Sequence, residues 1–206
     1  MAAPSSQAAP LCLASASPRR RALLEQLGVP YVCAVPDIDE AVLPGEPAED
    51  YVARIARAKA HTAHPHAAGL PVLAADTTVL IDQQILGKPA DAEQAIAMLL
   101  QLSGRSHQVL TAVALAVAGE ITHRLSRSEV RFRHLSLDEA VAYWNTGEPR
   151  DKAGAYAVQG HGAVFIEHLS GSYSGVMGLP LFETAELLAG AGLPYWLDQP
   201  AGGVAR

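Results

Sequence analysis

The sequence predicts an α/β fold, because short apolar runs typical of strands alternate with segments of helical spacing along its 206 residues. Polar, glycine-bearing and charged segments follow the predicted strands. Since α/β proteins bind ligands outside the ends of their strands, we expect these segments to converge on one cleft. With 50% hydrophobic and 17% charged residues, the chain can bury a core as one domain. We place that domain at residues 11–198, between a flexible N-terminal tail at 1–10 and a C-terminal tail at 199–206.

The overall charge limits the kinds of partner that the protein can bind. A formal net charge of -6 argues against nonspecific binding to nucleic acid or to an anionic membrane, so a polyanion must meet a small local cluster of cations. No apolar run approaches the roughly 18 residues of a membrane span, and the first ten residues do not resemble a signal peptide. Cys12 and Cys33 each lie in an apolar segment, which predicts two buried free thiols and a cytoplasmic protein.

The first predicted strand, Leu11–Ala14, leads into a helix that begins near Pro18. Ser17 is a suitable N-cap, and proline fits the first helical position. A helix N-terminus favours anions, and Arg19 or Arg20 can add two-pronged contacts to a phosphate. The pattern predicts a phosphate site; the alternative is an ordinary capped helix with solvated arginines.

The second predicted strand, 31–35, runs into a cluster of carboxylates that ends at Glu40. Such a cluster suits a hard divalent cation such as Mg²⁺, which shares its oxygen ligands with substrate phosphates. The alternative is a solvated acidic loop. A helix is predicted next, from about residue 48 to 62, and it places Lys59 near its C-terminal end, where a cation is favoured.

The apolar run 71–75 predicts a strand buried on both faces, with Asp76 at its end. An acid in that position faces a sheet edge or a cleft, which suits catalysis; the alternative is an acid that caps a turn. Residues 78–81 form the next predicted strand. A turn then leads to Lys88, on a short loop beside this hairpin.

Two capping boxes predict helix starts in the second half of the chain, Asp91 with Gln94 and Ser136 with Glu139. The polar, glycine-rich segment 147–160 follows the second of these helices and is predicted to be a binding loop. The remaining predicted elements are a strand at 164–169 and a last helix from about Pro180.

The segments 107–118 and 121–133 predict two long paired strands. In the second strand, the apolar residues of the first and second halves fall on opposite faces. We therefore predict a β-bulge near Arg127 or Ser128, since one apolar set would otherwise face water.

Several nucleotide and hydrolase motifs are missing from the sequence: it has no Walker loop, dinucleotide-binding glycine motif, nucleophile elbow or zinc-protease helix motif. Only three of its 15 basic residues are lysines, Lys59, Lys88 and Lys152, and we expect these to mark places that need a compact ammonium. Together with the serine–arginine segment and the carboxylates, they indicate metal-assisted hydrolysis of a phosphate ester or anhydride.

A series of short motifs runs in order over almost the whole chain. The series is Leu13-Ala14-Ser15-Ala16-Ser17-Pro18-Arg19-Arg20, Arg57-Ala58-Lys59-Ala60, Ala75-Asp76-Thr77, Gly87-Lys88-Pro89 with Asp91, Leu102-Ser103-Gly104 with His107, Thr146-Gly147-Glu148-Pro149, Asp151-Lys152-Ala153-Gly154-Ala155-Tyr156, Val158-Gln159-Gly160, Gly171-Ser172-Tyr173 and Gly178-Leu179-Pro180. In this order the motifs resemble those of the Maf-like nucleoside triphosphate pyrophosphatases.

That resemblance implies a mixed, twisted sheet flanked by helices, two lobes with a central cleft, and a homodimer. It also implies an enzyme that cleaves a nucleoside triphosphate between its α and β phosphates, giving the monophosphate and pyrophosphate. The segment around Gln159 resembles the branch of the family that acts on dTTP and UTP, and modified pyrimidine nucleotides are further substrates to consider. An amide offers one donor and one acceptor, which suits the O4 and N3–H edge of thymine or uracil.

Residue roles also follow from the resemblance. Asp76 matches the acid that activates water, and Asp76 with Glu40 would hold a divalent metal, Mg²⁺ or Mn²⁺. The residues matching those that set base preference are Arg19, Thr77 and Gln159. Those matching phosphate contacts are Ser15, Arg20, Lys59, Lys88 and Lys152.

Two alternatives stay open from the sequence. The same scaffold would serve a 7-methyl-GTP pyrophosphatase, although that branch typically carries an acid where Gln159 stands. A protein that inhibits septum formation by binding another protein is the second alternative, and it would not need Asp76, Lys88 and Lys152 together in cleft-like loops.

Overall fold

The computed structural model describes residues 11–196, so both predicted tails and the last two residues of the predicted domain lie outside the described residues. The strands are β1 (Leu11–Ala14), β2 (Tyr31–Ala34), β3 (Val72–Ile81), β4 (Gln84–Leu86), β5 (Ser106–Val117), β6 (Glu120–Phe132) and β7 (Ile166–Ser170). The helices are α1 (Pro18–Gln26), α2 (Ala48–Ala63), α3 (Ala92–Leu102), α4 (Leu137–Asn145), α5 (Tyr173–Met177) and α6 (Leu181–Gly190). Short 3₁₀ turns lie at His64–His66, Glu148–Asp151, Ala153–Ala155 and His161–Phe165.

The strands form one mixed sheet in the order β2-β1-β3-β5-β6-β7, with β4 paired to β3. β1 is parallel to both β2 and β3, whereas β3, β5, β6 and β7 are joined by antiparallel pairs. The predicted mixed α/β architecture is therefore confirmed. Within the described part of the chain, no helix is long and apolar enough to cross a membrane.

One edge of β3 is open in its middle. On that side β1 pairs only with Val72 and Leu73, and β4 pairs only from Val79 onward. Among the described strands, none pairs with the intervening residues on this side. Asp76 therefore lies in the middle of a ten-residue strand, and the prediction that it ends a strand is wrong. It still borders a cleft, because the sheet itself is interrupted beside it.

The core divides into three clusters around this gap. One cluster packs α2 against one face of the sheet. On the other face of β3, Leu73 and Ala75 pack with α1 and α6, whereas Val79 and Ile81 pack with α3 and α4. Alternation along the strand places Thr77 on this same face, between the two clusters. The predicted two lobes are these two clusters, and the polar centre of β3 lies where they meet.

Local capping signals predicted the helix starts well. Ser17 caps α1, and Ser136 with Glu139 forms a complete capping box at α4. At α3, Asp91 caps the helix, but Gln94 accepts from the backbone of Ala90 at 2.6 Å, so the reciprocal half of that predicted box is absent. The five-residue helix α5 lies in a segment for which no helix was predicted.

The predicted β-bulge near Arg127 or Ser128 is wrong. The β5–β6 register is continuous from Ser106 opposite Arg131 to Val117 opposite Glu120. The change of apolar parity is real, but both faces are covered in different places. The residues of the first half pack against the α2 cluster, and those of the second half pack against the α3–α4 cluster.

The two thiols are both free, as predicted, but only one of them is buried. Cys12 is enclosed in β1, whereas Cys33 is exposed. The reason is that β2 is the edge strand of the sheet, where Val32 is also exposed. An apolar segment of four residues does not reveal whether its strand is central or at an edge.

Candidate active site

A cleft of about 680 Å³ opens at the gap in the sheet. Its walls come from the segment after β1, the middle of β3, the loop after β4, the loop after α4 and the end of α5. All ten residues predicted for the site line this cleft, namely Ser15, Arg19, Arg20, Glu40, Lys59, Asp76, Thr77, Lys88, Lys152 and Gln159. The structure thus brings the predicted residues together, while their individual roles remain predictions.

Lys59 links two carboxylates at the base of the cleft. Its Nζ lies 2.8 Å from Asp76 Oδ1 and 2.8 Å from Glu40 Oε1. Asp76 and Lys59 are buried, while Glu40 is more open to solvent. Lys59 lies in the C-terminal part of α2, and its side chain reaches Asp76 of β3 on the face of the sheet that α2 covers. Each carboxylate contacts Lys59 through one oxygen, which leaves its second oxygen for another partner.

Burial and charge act in opposite directions on these acids. Burial raises the pKa of the Asp76 carboxyl above its ordinary value, and the nearby charges of Lys59 and Arg20 oppose the rise. Partial burial also acts to raise the pKa of Glu40, but the Lys59 hydrogen bond and the charges of Lys59, Lys88 and Arg20 outweigh it and lower that pKa. Asp76 is therefore the stronger proton acceptor of the two.

Arg20 is fixed above β3 by three contacts. Its Nε donates to the carbonyl of Gly178 at 2.8 Å, and its terminal nitrogens lie 3.4 Å from the hydroxyls of Ser15 and Thr77. These partners come from three separate segments of the chain. A guanidinium held in this way presents a fixed positive charge to the cleft.

A buried threonine continues this network into the sheet. Thr111 lies opposite Thr77 in the β3–β5 register, and their hydroxyl oxygens are 3.0 Å apart. Thr111 also donates to the carbonyl of Gly175 at 2.7 Å. A hydroxyl has one proton, and Thr111 uses its proton on Gly175. The Thr77 hydroxyl therefore donates its hydrogen bond to Thr111 and accepts one from Arg20.

The segment after β1 forms the wall on one side. The hydroxyl of Ser17 accepts from the backbone N–H of Arg20 at 3.4 Å, and the hydroxyl of Ser15 accepts from the backbone N–H of Ser17 at 3.1 Å. The predicted N-cap is therefore confirmed. The same segment supplies Arg19, which extends toward the opposite wall.

The opposite wall is the loop after α4. Asp151 in this loop pairs with Lys152 and approaches Arg19, with 3.5 Å between Arg19 Nη1 and Asp151 Oδ2. Lys152 also donates to the backbone carbonyl of Glu148 at 3.1 Å. Gln159, further along the loop, and Lys88, on the loop after β4, are exposed on the cleft wall.

Sequence reasoning assigned no role to three residues of the site. Thr111 carries a hydroxyl within a long apolar strand, and that isolated polarity was the available signal. Asp151 stands next to a predicted phosphate-binding lysine, and it is the only one of the three that also crosses the cleft. Tyr51 lines the cleft from α2, where its hydroxyl donates to the Glu40 carbonyl at 3.1 Å. Burial, aided by the charges of Asp76 and Glu40, raises the pKa of Tyr51 to about 12, so it remains a donor.

The donor set limits how a metal would bind. Within residues 11–196, no cluster of three or more acidic, histidine or cysteine side chains is arranged to hold a metal ion. Magnesium, however, is often held by one or two carboxylates together with the phosphates of a substrate. Glu40 and Asp76, both joined to Lys59, supply such a pair and fit that mode of binding.

The fold and the cleft define an α/β protein that sets five cations, the arginines and lysines of the cleft, beside a buried carboxylate. A family model described as Maf-like protein matches residues 10–191, and the chain belongs to this family. Similar proteins named dTTP/UTP pyrophosphatase occur in Methylobacillus flagellatus (55% identical over 183 residues, 88% of this chain and 92% of that protein), Aromatoleum aromaticum (52% over 199 residues, 88% and 95%) and Myxococcus xanthus (55% over 184 residues, 89% and 93%). The family resemblance predicted from the motifs is confirmed.

Proposed function

We propose that this protein is a nucleoside triphosphate pyrophosphatase that hydrolyses dTTP and UTP to the monophosphate and pyrophosphate. The observation that carries the proposal is the cleft itself, whose lining includes the buried Asp76 and every predicted phosphate-binding residue. The names of the similar proteins support the same substrates. Five cations in a chain of net charge -6 form the local cluster that a triphosphate requires.

The reaction needs a proton acceptor and charge neutralisation rather than covalent chemistry. Asp76 accepts a proton from water as the water oxygen forms a bond to the α phosphorus. The bond from that phosphorus to the α–β bridging oxygen breaks, and pyrophosphate leaves with the electron pair. Lys59 holds Asp76 in place by its 2.8 Å contact, and Arg20, Lys88 and Lys152 offset the charge of the phosphates.

A divalent cation, Mg²⁺ or Mn²⁺, belongs to this proposal. Glu40 and Asp76 would hold it together with phosphate oxygens of the substrate. When bound, it would supply further charge neutralisation and polarise the phosphate under attack. The cation requirement is testable separately from the identity of the substrate.

Base preference is assigned to the cleft wall. Arg19, Thr77 and Gln159 line the cleft from three different segments. The Gln159 amide would donate to O4 and accept from N3–H of thymine or uracil, a pairing that cytosine reverses. The predicted homodimer and the cytoplasmic location remain predictions; light scattering of the purified full chain measures the former.

The proposal is tested by measuring pyrophosphate and monophosphate release from dTTP, UTP, CTP, ATP, GTP and 7-methyl-GTP. Each nucleotide is assayed with Mg²⁺, with Mn²⁺ and with a chelator. We expect equal amounts of both products, release from dTTP and UTP at least about tenfold faster than from the others, and loss of release with the chelator. In isotopically labelled water, the label should enter the monophosphate.

Three results would overturn parts of the proposal. A preference for 7-methyl-GTP would move the protein to the other branch of the family. Full activity in chelator would remove the metal from the mechanism. No release from any nucleotide by folded protein would contradict the enzyme function.

A further inference from the structure

The wall that carries Gln159 is a loop closed on itself. The loop follows α4 and extends from Glu148 to Gly162, and it includes both Lys152 and Gln159. Loops hold a side chain at a fixed place only when their own backbone is tied down. The structure shows one side chain that performs this task.

Glu148 joins the two ends of the loop. Its Oε1 accepts from the backbone N–H of Gly162 at 3.1 Å, and its Oε2 accepts from the backbone N–H of His161 at 2.9 Å. Its own backbone carbonyl accepts from Lys152 at 3.1 Å. One residue thus ties the start of the loop to its end and to a predicted phosphate ligand.

Tyr143 extends the tie to the middle of the loop. Its buried hydroxyl donates to Glu148 Oε1 at 2.6 Å and accepts from the backbone N–H of Ala157 at 3.0 Å. The ring is locked against Phe165, edge to face, with 5.0 Å between centroids. Ala157 is two residues before Gln159, so the phenol connects the carboxylate to the segment that holds the amide.

Two glycines let the backbone come close enough for these bonds. A Cβ at Gly160 would overlap the Glu148 carboxylate, and a Cβ at Gly162 would lie 2.6 Å from the Tyr143 hydroxyl oxygen. The spacing of the loop around Glu148 is therefore part of the fold rather than a chance surface contact.

We propose that Glu148, acting through Tyr143, is a positioning residue that holds Gln159 at the height needed to read the base and so sets the preference for dTTP and UTP. Neither side chain lines the cleft, so both act on substrate only through the loop. This inference rests on the proposed function. It adds a specificity determinant outside the cleft to the three that line it.

The test uses full-length Glu148→Gln, Glu148→Ala and Tyr143→Phe variants. Gln keeps one acceptor oxygen but turns its NH₂ toward a backbone donor, whereas Phe removes only the phenol oxygen. Glu139→Gln is the matched control, because Glu139 also accepts a backbone N–H, from Ser136 at 2.9 Å, and lies outside the cleft lining. The readouts are kcat/KM for dTTP relative to CTP, and amide hydrogen exchange of residues 157–162 without nucleotide.

We expect Glu148→Gln and Tyr143→Phe to lower the dTTP:CTP ratio roughly tenfold, the value of one lost charge-assisted hydrogen bond, and Glu148→Ala to lower it further. Exchange at 157–162 should rise by a similar factor, with Glu139→Gln changing neither readout. If Glu148→Ala fails to fold, Tyr143→Phe still decides.

Two outcomes separate this inference from the proposed function. Faster exchange with an unchanged dTTP:CTP ratio would overturn the positioning role and leave the proposed function intact. A wild-type protein without nucleotide turnover would contradict the proposed function and the selectivity claim together. The exchange measurement would still show whether Glu148 ties the loop.

Discussion

Lys59 performs two tasks with one ammonium group. It contacts both Asp76 and Glu40 at 2.8 Å and so compensates two acids that share a partly closed space. Burial alone raises the pKa of Asp76, and a fully protonated acid cannot accept a proton from water. The lysine opposes this rise in the pKa of Asp76, while burial makes the carboxylate more basic than that of an exposed aspartate. A compact ammonium fits this position better than a planar guanidinium.

Gln159 offers the sharpest test of base reading by one side chain. In Gln159→Glu the side chain only accepts hydrogen bonds at neutral pH, so it repels O4 of thymine and uracil. We expect kcat/KM for dTTP and UTP to fall about tenfold or more relative to the other nucleotides, measured by pyrophosphate release. Gln83→Glu adds the same charge in the exposed turn before β4 and should leave the relative rates unchanged.

An unchanged ranking of nucleotides in Gln159→Glu would remove Gln159 from base recognition. A uniform loss on all nucleotides would assign the residue to phosphate binding or to loop structure instead. The two results are distinguishable because the whole panel is measured in each variant.

The helix starts were easier to predict than the gap in the sheet beside Asp76. Helix starts depend on capping residues a few positions apart, and Ser17, Ser136 and Asp91 behave as such signals predict. The gap beside Asp76 depends on where β1 and β4 stop along β3, which is a matter of pairing between distant segments. No local pattern reports it, so Asp76 was expected at a strand end.

The same limit applies to two other features. The β6 prediction failed because α2 and the α3–α4 cluster cover opposite faces at different points along the strand. The motif around Gln159 predicts a binding loop, but only the structure shows that Tyr143 and Glu148 tie its ends and middle together. Ten residues that line the cleft were predicted from the sequence; Tyr143 and Glu148, which act from behind it, were not.

An aromatic cluster between β5, β6 and the loop after α4 makes stability depend on pH. His107 Nε2 lies 2.8 Å from the Tyr156 hydroxyl, and its ring meets Phe132 edge to face at 5.1 Å between centroids. Its Nδ1 is buried without a hydrogen-bond partner, so protonation would place a second N–H where the described residues offer no acceptor. Burial lowers the pKa of His107 from 6.5 to about 4.

The sign of the effect follows from the two pKa values. Between pH 6.5 and about 4, His107 binds a proton in the unfolded state but stays neutral in the folded state. The stability that the neutral histidine contributes is therefore complete above pH 6.5 and is lost as the pH falls toward 4. The difference corresponds to about 3 kcal/mol of unfolding free energy. The double variant His107→Phe/Tyr156→Phe lacks the titrating group and leaves no hydroxyl unpaired.

Urea unfolding of both proteins across this pH range measures the difference. The wild-type protein should lose about 3 kcal/mol more than the double variant between pH 7 and pH 4. The same pH dependence of the unfolding free energy in both proteins would show that folding does not lower the pKa of His107. Exposed histidines are present in both proteins and cancel in the comparison.

The protein as a whole is negatively charged, but positively charged side chains are concentrated in the cleft. The chain carries a net charge of -6, yet five cations line the cleft against three carboxylates. Such a distribution draws a polyphosphate to one place without promoting binding to nucleic acid. The two clusters that meet at Thr77 supply rigid walls on both sides of that place. Substrate charge, cleft charge and the interrupted sheet therefore favour the same site.

The central claim is that this cleft hydrolyses a nucleoside triphosphate with Asp76 as the proton acceptor. The most direct measurement is pyrophosphate release from dTTP by the wild-type protein and by Asp76→Asn, which keeps size and removes the charge. Asp50→Asn, in the exposed first turn of α2, is the matched control. The unfolding midpoint and dTTP affinity of each protein are recorded alongside.

We expect Asp76→Asn to lower the rate by about 10² to 10⁴, the usual value of a positioned general base, with the fold and dTTP binding retained. Asp50→Asn should match the wild-type rate. An Asp76→Asn protein that releases pyrophosphate within about threefold of the wild-type rate would contradict the account and require a different group to activate water.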